Sequence, residues 1–316
     1  MVRTPVIASL ILGALVACPA AAQDKATLVL QPSSQWQLDM GEHRCRLART
    51  FGTGASETLF YIEQFNPSAR FSYGVAGPSL NDLRITDKFQ RLPERKVEVQ
   101  FGPALPGYEQ SYEDASLGDL GAAIMGYGPV QTVFETKEEF EGRATKNPEP
   151  AEGSRELREL DAETGKAISW LSLSSPRIGT VKLELGGMEA PFKAMNFCMD
   201  DLVKTWGLDP EQQKQIQKFP VWLNDEKIVR SIQRNYPAQA LRGGRMARFN
   251  IRVIVDEEGR PESCQLTNMT TSEGFDRDLT VCGLIKNGAK FSPALDASGS
   301  PVRSFFTSSV RYVIPS

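Results

Sequence analysis

Residues 249–266 read FNIRVIVDEEGRPESCQL, and this stretch decides the fold of the C-terminal part of the chain. The apolar residues at alternate positions from Phe249 to Val255 share one parity, which predicts a strand with one face against a core and its arginines facing outward. Residues 256–259 predict a hairpin connection, since Gly259 is free to adopt a positive φ. On the returning strand Cys264 points inward, so the stretch predicts a two-stranded hairpin.

A helix is predicted after the hairpin, from Asp276 to Asn287, because Leu279, Cys282 and Ile285 fall on one helical face. Cys282 then lies on the helix face that covers the hairpin, and Cys264 lies on the hairpin face that is covered. We therefore predict a Cys264–Cys282 disulfide. It would close a loop of about 18 residues, which is worth about 3 kcal/mol by the chain-entropy estimate.

The last apolar alternation, from Val302 to Ile314, predicts a third strand with Phe306, Val310 and Tyr312 facing the core. A preceding helix over residues 224–234 completes the order helix, strand, strand, helix, strand. That order is typical of a small α+β domain whose sheet is covered by helices on one face. A three-stranded sheet keeps an exposed edge, and an edge strand can pair with an incoming extended peptide.

Four short motifs run through this region in order: Tyr236-Pro237, Val255-Asp256 followed by Gly259, Phe291-Ser292-Pro293-Ala294, and Gly299-Ser300-Pro301-Val302. Their order and spacing resemble the C-terminal domain of the TonB energy-transducer family, over about residues 229–315. The resemblance implies a domain that binds a short extended segment of an outer-membrane receptor by strand addition. It also implies a connection to the transmembrane transport of nutrients.

The same resemblance implies which residues contact the partner: Tyr236, Pro237, Val302, Arg303, Phe305, Thr307, Ser309 and Arg311. For Tyr236 the alternative is a packing role at the entry to a strand. The Ser-Ser-Gly segment of the family is matched only loosely, by residues 271–274. The partner is expected to be an envelope protein such as an outer-membrane receptor, or a cell-wall component.

The first 22 residues are predicted to be a signal peptide. Arg3 precedes an apolar run from Val6 to Ala17, and Ala20-Ala21-Ala22 supplies the small residues of a cleavage site. Lipidation at Cys18 is the competing interpretation. The expected location is the periplasm. Because a membrane anchor and a Pro-rich spacer are not expected in the mature chain, we expect the binding function of the family without its energy coupling.

The region from residue 23 to 207 is predicted to be a β-rich domain with one long helix, followed by a helical connection over 208–228 and the TonB-like domain over 229–316. The helix is predicted from Met188 to Trp206, because its apolar residues recur at i+3 and i+4. Cys198 lies beside this stripe and Cys45 lies on the inward face of an early strand. We therefore predict a Cys45–Cys198 disulfide.

Composition excludes several classes of function. The formal net charge is −3 and basic residues are not clustered, which argues against nucleic acid as a partner. His43 is the only histidine, and it is predicted to be a solvated surface residue, so neither a metal site nor a catalytic Ser–His pair is expected. No cofactor is expected. Two alternatives to a binding module stay open: an exported enzyme with an N-terminal catalytic domain, and a structural envelope protein.

Overall fold

The computed structural model describes residues 27–84, 95–113, 115–128, 158–271, 275 and 281–314, with the backbone alone at 268–271. The predicted signal peptide, Cys18, most of the loosely matched segment 271–274 and the first turn of the helix predicted from Asp276 lie outside the described residues. The structure has the mixed α+β content that the sequence predicts, with a β-rich N-terminal region and a small α+β unit at the C-terminus.

The N-terminal region contains eleven strands and two helices among its described residues. In chain order they are β1 Thr27–Leu30, β2 Gln37–Met40, β3 Cys45–Phe51, β4 Thr58–Gln64, β5 Ser72–Ala76, β6 Lys96–Pro103, β7 Tyr108–Ser111, β8 Ala115–Ser116, β9 Ala122–Tyr127, α1 Ala162–Lys166, β10 Ile168–Ser175, β11 Gly179–Leu183 and α2 Glu189–Thr205. Three short 3₁₀ turns lie between strands, at Gly54–Ser56, Pro78–Leu83 and Gly118–Leu120.

These strands form two sheets that share one core. One sheet has the order β1-β11-β10-β6-β7 and the other has the order β2-β3-β4-β5-β9-β8. Phe101 of β6 meets Phe60 of β4 and Tyr73 of β5, at ring-centroid distances of 6.4 and 5.4 Å. Side chains from both sheets and from α2 are buried in the same cluster. Burial of alternate apolar residues on facing strands is therefore what holds the N-terminal region together.

Helix α2 lies where the apolar stripe predicts it. Phe192, Met195 and Met199 are buried in the N-terminal core, and Gly207 follows the helix with a φ of 72°, a conformation that favours glycine. Cys198 of α2 is bonded to Cys45 of β3, as predicted, with the two Cα atoms 6.1 Å apart. The bond ties the helix to the sheet and closes a loop worth about 5 kcal/mol in chain entropy.

The remaining elements are α3 Pro210–Gln215, β12 Val221–Trp222, α4 Asp225–Arg234, α5 Ala238–Arg242, β13 Ala247–Val255, β14 Pro261–Thr271, α6 Val281–Gly288, β15 Phe291–Ser292, β16 Ala294–Leu295, β17 Pro301–Val302 and β18 Ser304–Tyr312. The principal sheet has the order β14-β13-β18, and both pairings are antiparallel. The sequence predicts the hairpin, the helix and the third strand. It does not predict α5 or the short pairs β12–β15 and β16–β17.

One face of the three-stranded sheet packs against α4 and α6. Phe249, Ile251 and Val253 of β13 are buried with Ile232 of α4 and Ile285 of α6, which confirms the predicted parity of β13. Cys264 and Cys282 form the second predicted disulfide, with their Cα atoms 5.3 Å apart. The connection over 208–228 packs onto this unit, because β12 pairs with β15 and Ile216 is buried with Ala294 and Val302.

Candidate functional site

Strand β18 forms one edge of the C-terminal sheet. Its nine residues pair with β13 without a register shift, from Ser304 opposite Val255 to Tyr312 opposite Ala247. Within the described ranges no other strand pairs with β18. In an antiparallel pair the N–H and C=O groups of alternate residues point to opposite sides of the strand. Half of the backbone groups of β18 therefore face away from β13.

Two glutamine side chains identify the residues whose backbone groups face the open side. Gln233 of α4 donates through Nε2 to the carbonyl oxygen of Arg311, and Gln213 of α3 donates to that of Arg303 at 2.9 Å. Alternate carbonyls of a strand point the same way, so those of Phe305, Thr307 and Ser309 also face outward. In the described part of the chain nothing bonds to the backbone of these three residues on that side. The two glutamines thus lie at either end of an open stretch of β18, from Phe305 to Ser309.

The side chains of β18 divide by parity, as the sequence predicts. Val310 and Tyr312 are buried on the helix-covered face, and Phe306 packs against the same core. On the other face Thr307, Ser309 and Arg311 are exposed. These three residues, all predicted to contact a partner, are brought together in the structure and stand beside the open backbone.

Val302 and Phe305, which are also predicted contact residues, are not accessible. Val302 belongs to β17 and not to the edge strand: it pairs with Ala294 and is buried. The prediction fails there because Arg303 interrupts the strand ladder before β18 begins. Phe305 is only 4% exposed, because the N-terminal region covers the face on which it lies.

This cover is formed chiefly by Trp206, at the end of α2. Its ring lies 5.3 Å from that of Phe305 in an edge-on arrangement, and the guanidinium carbon of Arg252 on β13 lies 3.8 Å from the Trp206 ring centroid. The cover also buries Arg252, predicted to face outward, to 6% exposure, and this burial lowers its pKa to about 10. The open face of the sheet is therefore accessible only toward the end of β18.

Arg158 and Arg303 fix the beginning of β18. The Arg158 guanidinium lies between the rings of Phe219 and Phe305, at 4.0 and 4.1 Å, and donates to the Ser304 hydroxyl at 3.3 Å. Arg303 pairs with Glu262 through Nε at 2.6 Å and donates to the carbonyl oxygen of Gly207. Arg303 is thus engaged within the chain, and its predicted contact with a partner would require these bonds to break.

Tyr236 and Pro237 have structural contacts. The Tyr236 hydroxyl donates to the carbonyl oxygen of Arg245 at 2.5 Å, and its ring lies 5.0 Å from that of Tyr312. Desolvation raises the pKa of Tyr236. Pro237 precedes α5 as its N-cap residue. The observed geometry gives Tyr236 the packing role that the sequence leaves open, at the end of the edge strand.

His43 lies at the contact between the two regions, which corrects its predicted position on the solvated surface. Its side chain is 26% exposed, and its Nε2 is 3.2 Å from Nε2 of Gln265 on β14. In the described ranges no group of three or more His, Cys, Asp or Glu residues is placed to hold a metal ion. The geometry of His43 fits an interface residue.

An open depression of about 450 Å³ lies between α1 and α2, and Glu159, Asp161, Glu163 and Asp200 supply most of its charge. These carboxylates already have partners within the chain. Asp161 accepts hydrogen bonds from the first turn of α1, and Asp200 and Glu163 pair with lysines at 2.8 and 2.9 Å. These contacts show that the acidic residues serve the fold as a helix cap and as ion-pair partners.

The fold and the edge strand define a small α+β domain with an open strand beside exposed polar side chains. Residues 232–314 match the family model described as Gram-negative bacterial TonB protein C-terminal, a non-enzymatic protein-interaction domain of the cell envelope. The match covers a segment of the chain and leaves the N-terminal region unassigned. Comparisons with curated proteins and with solved structures gave no match. Of the helices in the described ranges, none is long and apolar enough to cross a membrane.

Proposed function

We propose that this is a periplasmic protein whose C-terminal domain captures an extended segment of an envelope partner by adding it as a strand along β18. In this proposal residues 1–22 are a signal peptide, 23–207 an N-terminal domain, 208–228 a connection and 229–316 the binding domain. The partner is a segment of an outer-membrane receptor or a cell-wall component, and the capture serves nutrient transport. The two disulfides fit an exported protein.

The observation that carries the proposal is the open stretch of β18 from Phe305 to Ser309. Outward-facing N–H and C=O groups on three alternate residues would accept a short strand, which is a recurring mode of peptide recognition. The β13–β18 pairing holds the strand in one register, so the open groups are already arranged for pairing. Little conformational entropy of the protein would then be lost on binding.

The backbone bonds alone would bind weakly. Each hydrogen bond contributes about 1 kcal/mol net, so six open groups supply about 6 kcal/mol, comparable with the cost of association. Side chains next to the open stretch must therefore supply the remaining affinity and the selectivity. Thr307, Ser309 and Arg311 are the exposed residues in that position.

A proline at Thr307 tests the proposal. Thr307 faces the open side, so Thr307→Pro removes an N–H group that the protein itself leaves unpaired and places a ring where the partner strand would lie. We expect the full-length protein carrying Thr307→Pro to lose its partner in a cross-linking capture from envelope extracts. Thr307→Ala keeps the N–H group and removes only one of the three exposed side chains, so it should weaken capture but still retain the partner.

Thermal unfolding of both variants would show that the fold is intact. Equal capture by a folded Thr307→Pro variant and by the wild-type protein would refute strand addition at β18. Loss of capture by both variants would instead place the contact in the Thr307 side chain.

A further inference from the structure

Three arginines on the open face of the C-terminal sheet have no carboxylate partner among the described residues. They are Arg248 and Arg252 of β13 and Arg311 of β18. Other arginines of the chain do have such partners: Arg46 pairs with Glu63 at 2.5 Å, and Arg260 with Asp256 at 2.6 Å. The face beside the open edge is therefore left with unbalanced positive charge.

Arg248 and Arg311 are the exposed members of this group. They lie directly opposite each other in the β13–β18 register, and like charges in that position repel. Arg248 also donates through Nε to the Ser309 hydroxyl at 2.8 Å, which draws its guanidinium toward β18. Two positive charges consequently stand next to the edge at which a strand would be added.

Arg252 lies further along the same face. It is opposite Thr307 in register, and its Nη1 atom is buried without a hydrogen-bond partner in the part of the chain that is described. A buried guanidinium donor that is not hydrogen-bonded carries an energetic cost that an acceptor would relieve. Arg252 lies beneath Trp206, so the positive charge that a partner can reach is that of Arg248 and Arg311, toward the end of β18.

Sheet geometry determines which residues of an added strand would lie beside these charges. An added strand lies about 4.8 Å from β18, and every second side chain points to the arginine-bearing face. A side chain opposite Ser309 comes next to the Arg248 guanidinium. A residue opposite Arg311 would displace the Gln233 amide from the Arg311 carbonyl, and its side chain comes next to Arg311 itself. These two positions on the added strand are two residues apart.

We infer that the segment captured at β18 carries carboxylate side chains two residues apart, Asp or Glu in the pattern acidic–any–acidic, which Arg248 and Arg311 recognise. The inference rests on the proposed function, since it requires a strand at this edge. The charge pattern selects an acidic extended peptide over a second copy of this chain, whose own edge would bring arginine next to arginine. Recognition by exposed arginines would depend on salt.

Synthetic peptides test the inference on the full-length, disulfide-intact protein. Three nine-residue peptides alternate Val with Glu, with Gln or with Lys, and binding is followed by NMR shifts of the β18 amides. We expect the Val/Glu peptide to bind about tenfold more tightly than the Val/Gln peptide at low salt, with the Val/Lys peptide weakest. The preference should fall as the ionic strength rises.

Matched variants locate the effect. Arg311→Gln and Arg248→Gln should each remove part of the preference for Glu. Arg70→Gln, which removes one exposed positive charge from the N-terminal region, should leave the preference unchanged.

Each of the remaining experimental outcomes would contradict a specific part of the inference. Equal binding of all three peptides with shifts at Thr307 and Ser309 would refute acidic selection and leave strand addition standing. The absence of β18 shifts with every peptide would refute strand addition itself. A concentration-dependent dimer that Thr307→Pro abolishes would show that the occupant is a second copy, and this too would overturn the inference.

Discussion

Replacing Trp206 with alanine should loosen the cover over the beginning of β18. The indole makes an edge-on contact with Phe305, worth about 1 kcal/mol, and a cation–π contact with Arg252, worth about 1 kcal/mol. Loss of apolar burial around a half-buried ring adds about 1 kcal/mol. We therefore expect Trp206→Ala to reduce the free energy of unfolding by about 3 kcal/mol.

Urea unfolding of the disulfide-intact protein measures this loss, and hydrogen exchange locates it. The amide of Phe306, which faces β13 in the native sheet, should exchange faster in Trp206→Ala, because the face of β18 that carries Phe305 becomes exposed to solvent and the β13–β18 pairing opens more often there. Trp206→Phe is the matched control. It keeps an aromatic ring on Phe305 and should lose less than half as much.

A loss below about 0.5 kcal/mol in Trp206→Ala, with unchanged exchange of the Phe306 amide, would refute the reasoning. The contact between the N-terminal region and the sheet would then contribute nothing to the stability of the edge.

Three further perturbations test individual contacts. Replacing Cys264 and Cys282 together with serine should cost about 3 kcal/mol, measured by thermal unfolding, because the 18-residue loop is no longer closed. Gln233→Ala should cost about 1 kcal/mol or less, and by freeing the Arg311 carbonyl it should strengthen binding of a strand-forming peptide in the same NMR titration. Burial alone would raise the pKa of Asp256, but hydrogen bonds from the backbone and side chain of Arg260 outweigh it and hold the pKa below its usual range. The ionised carboxylate of Asp256 therefore stabilises the fold at pH values above its unfolded pKa of about 4, and this stabilisation is lost as the pH falls through the lower pKa of the folded state. Asp256→Asn should thus make the free energy of unfolding fall less steeply as the pH is lowered through the acid range. Each contact has an outcome that would contradict its assigned role. These outcomes are unaltered stability in the double serine variant, unaltered peptide affinity in Gln233→Ala, and an unaltered dependence of stability on acid pH in Asp256→Asn.

Local periodicity was sufficient to predict the central part of the C-terminal sheet. Alternation from Phe249 to Val255 specifies which side chains face the helices, because a strand has a period of two and one buried face. The same parity places Cys264 opposite a helix face that carries Cys282, so that disulfide follows from the pattern. Cys45 and Cys198 follow similarly from a strand parity and a helical stripe.

Prediction from local sequence patterns fails where segments that are distant in the chain contact each other in the fold. Arg252 has the parity of an exposed residue, yet Trp206 covers it, and a local pattern carries no information about contacts between elements far apart in the chain. Val302 has the parity of the last strand, but the ladder breaks at Arg303 and Val302 joins another pair. The roles of Gln213 and Gln233 leave no periodic signal, because each is a single side chain that bonds to a backbone carbonyl.

The amide exchange of β18 in the complex with its captured partner tests the central claim most directly. Strand addition predicts that the amides of Phe305, Thr307 and Ser309 become strongly protected on binding, because their outward N–H groups then donate to the partner backbone. The amides of Phe306 and Ser308, which face β13, should change little. Binding that leaves the Thr307 and Ser309 amides as exposed as in the free protein would contradict the account.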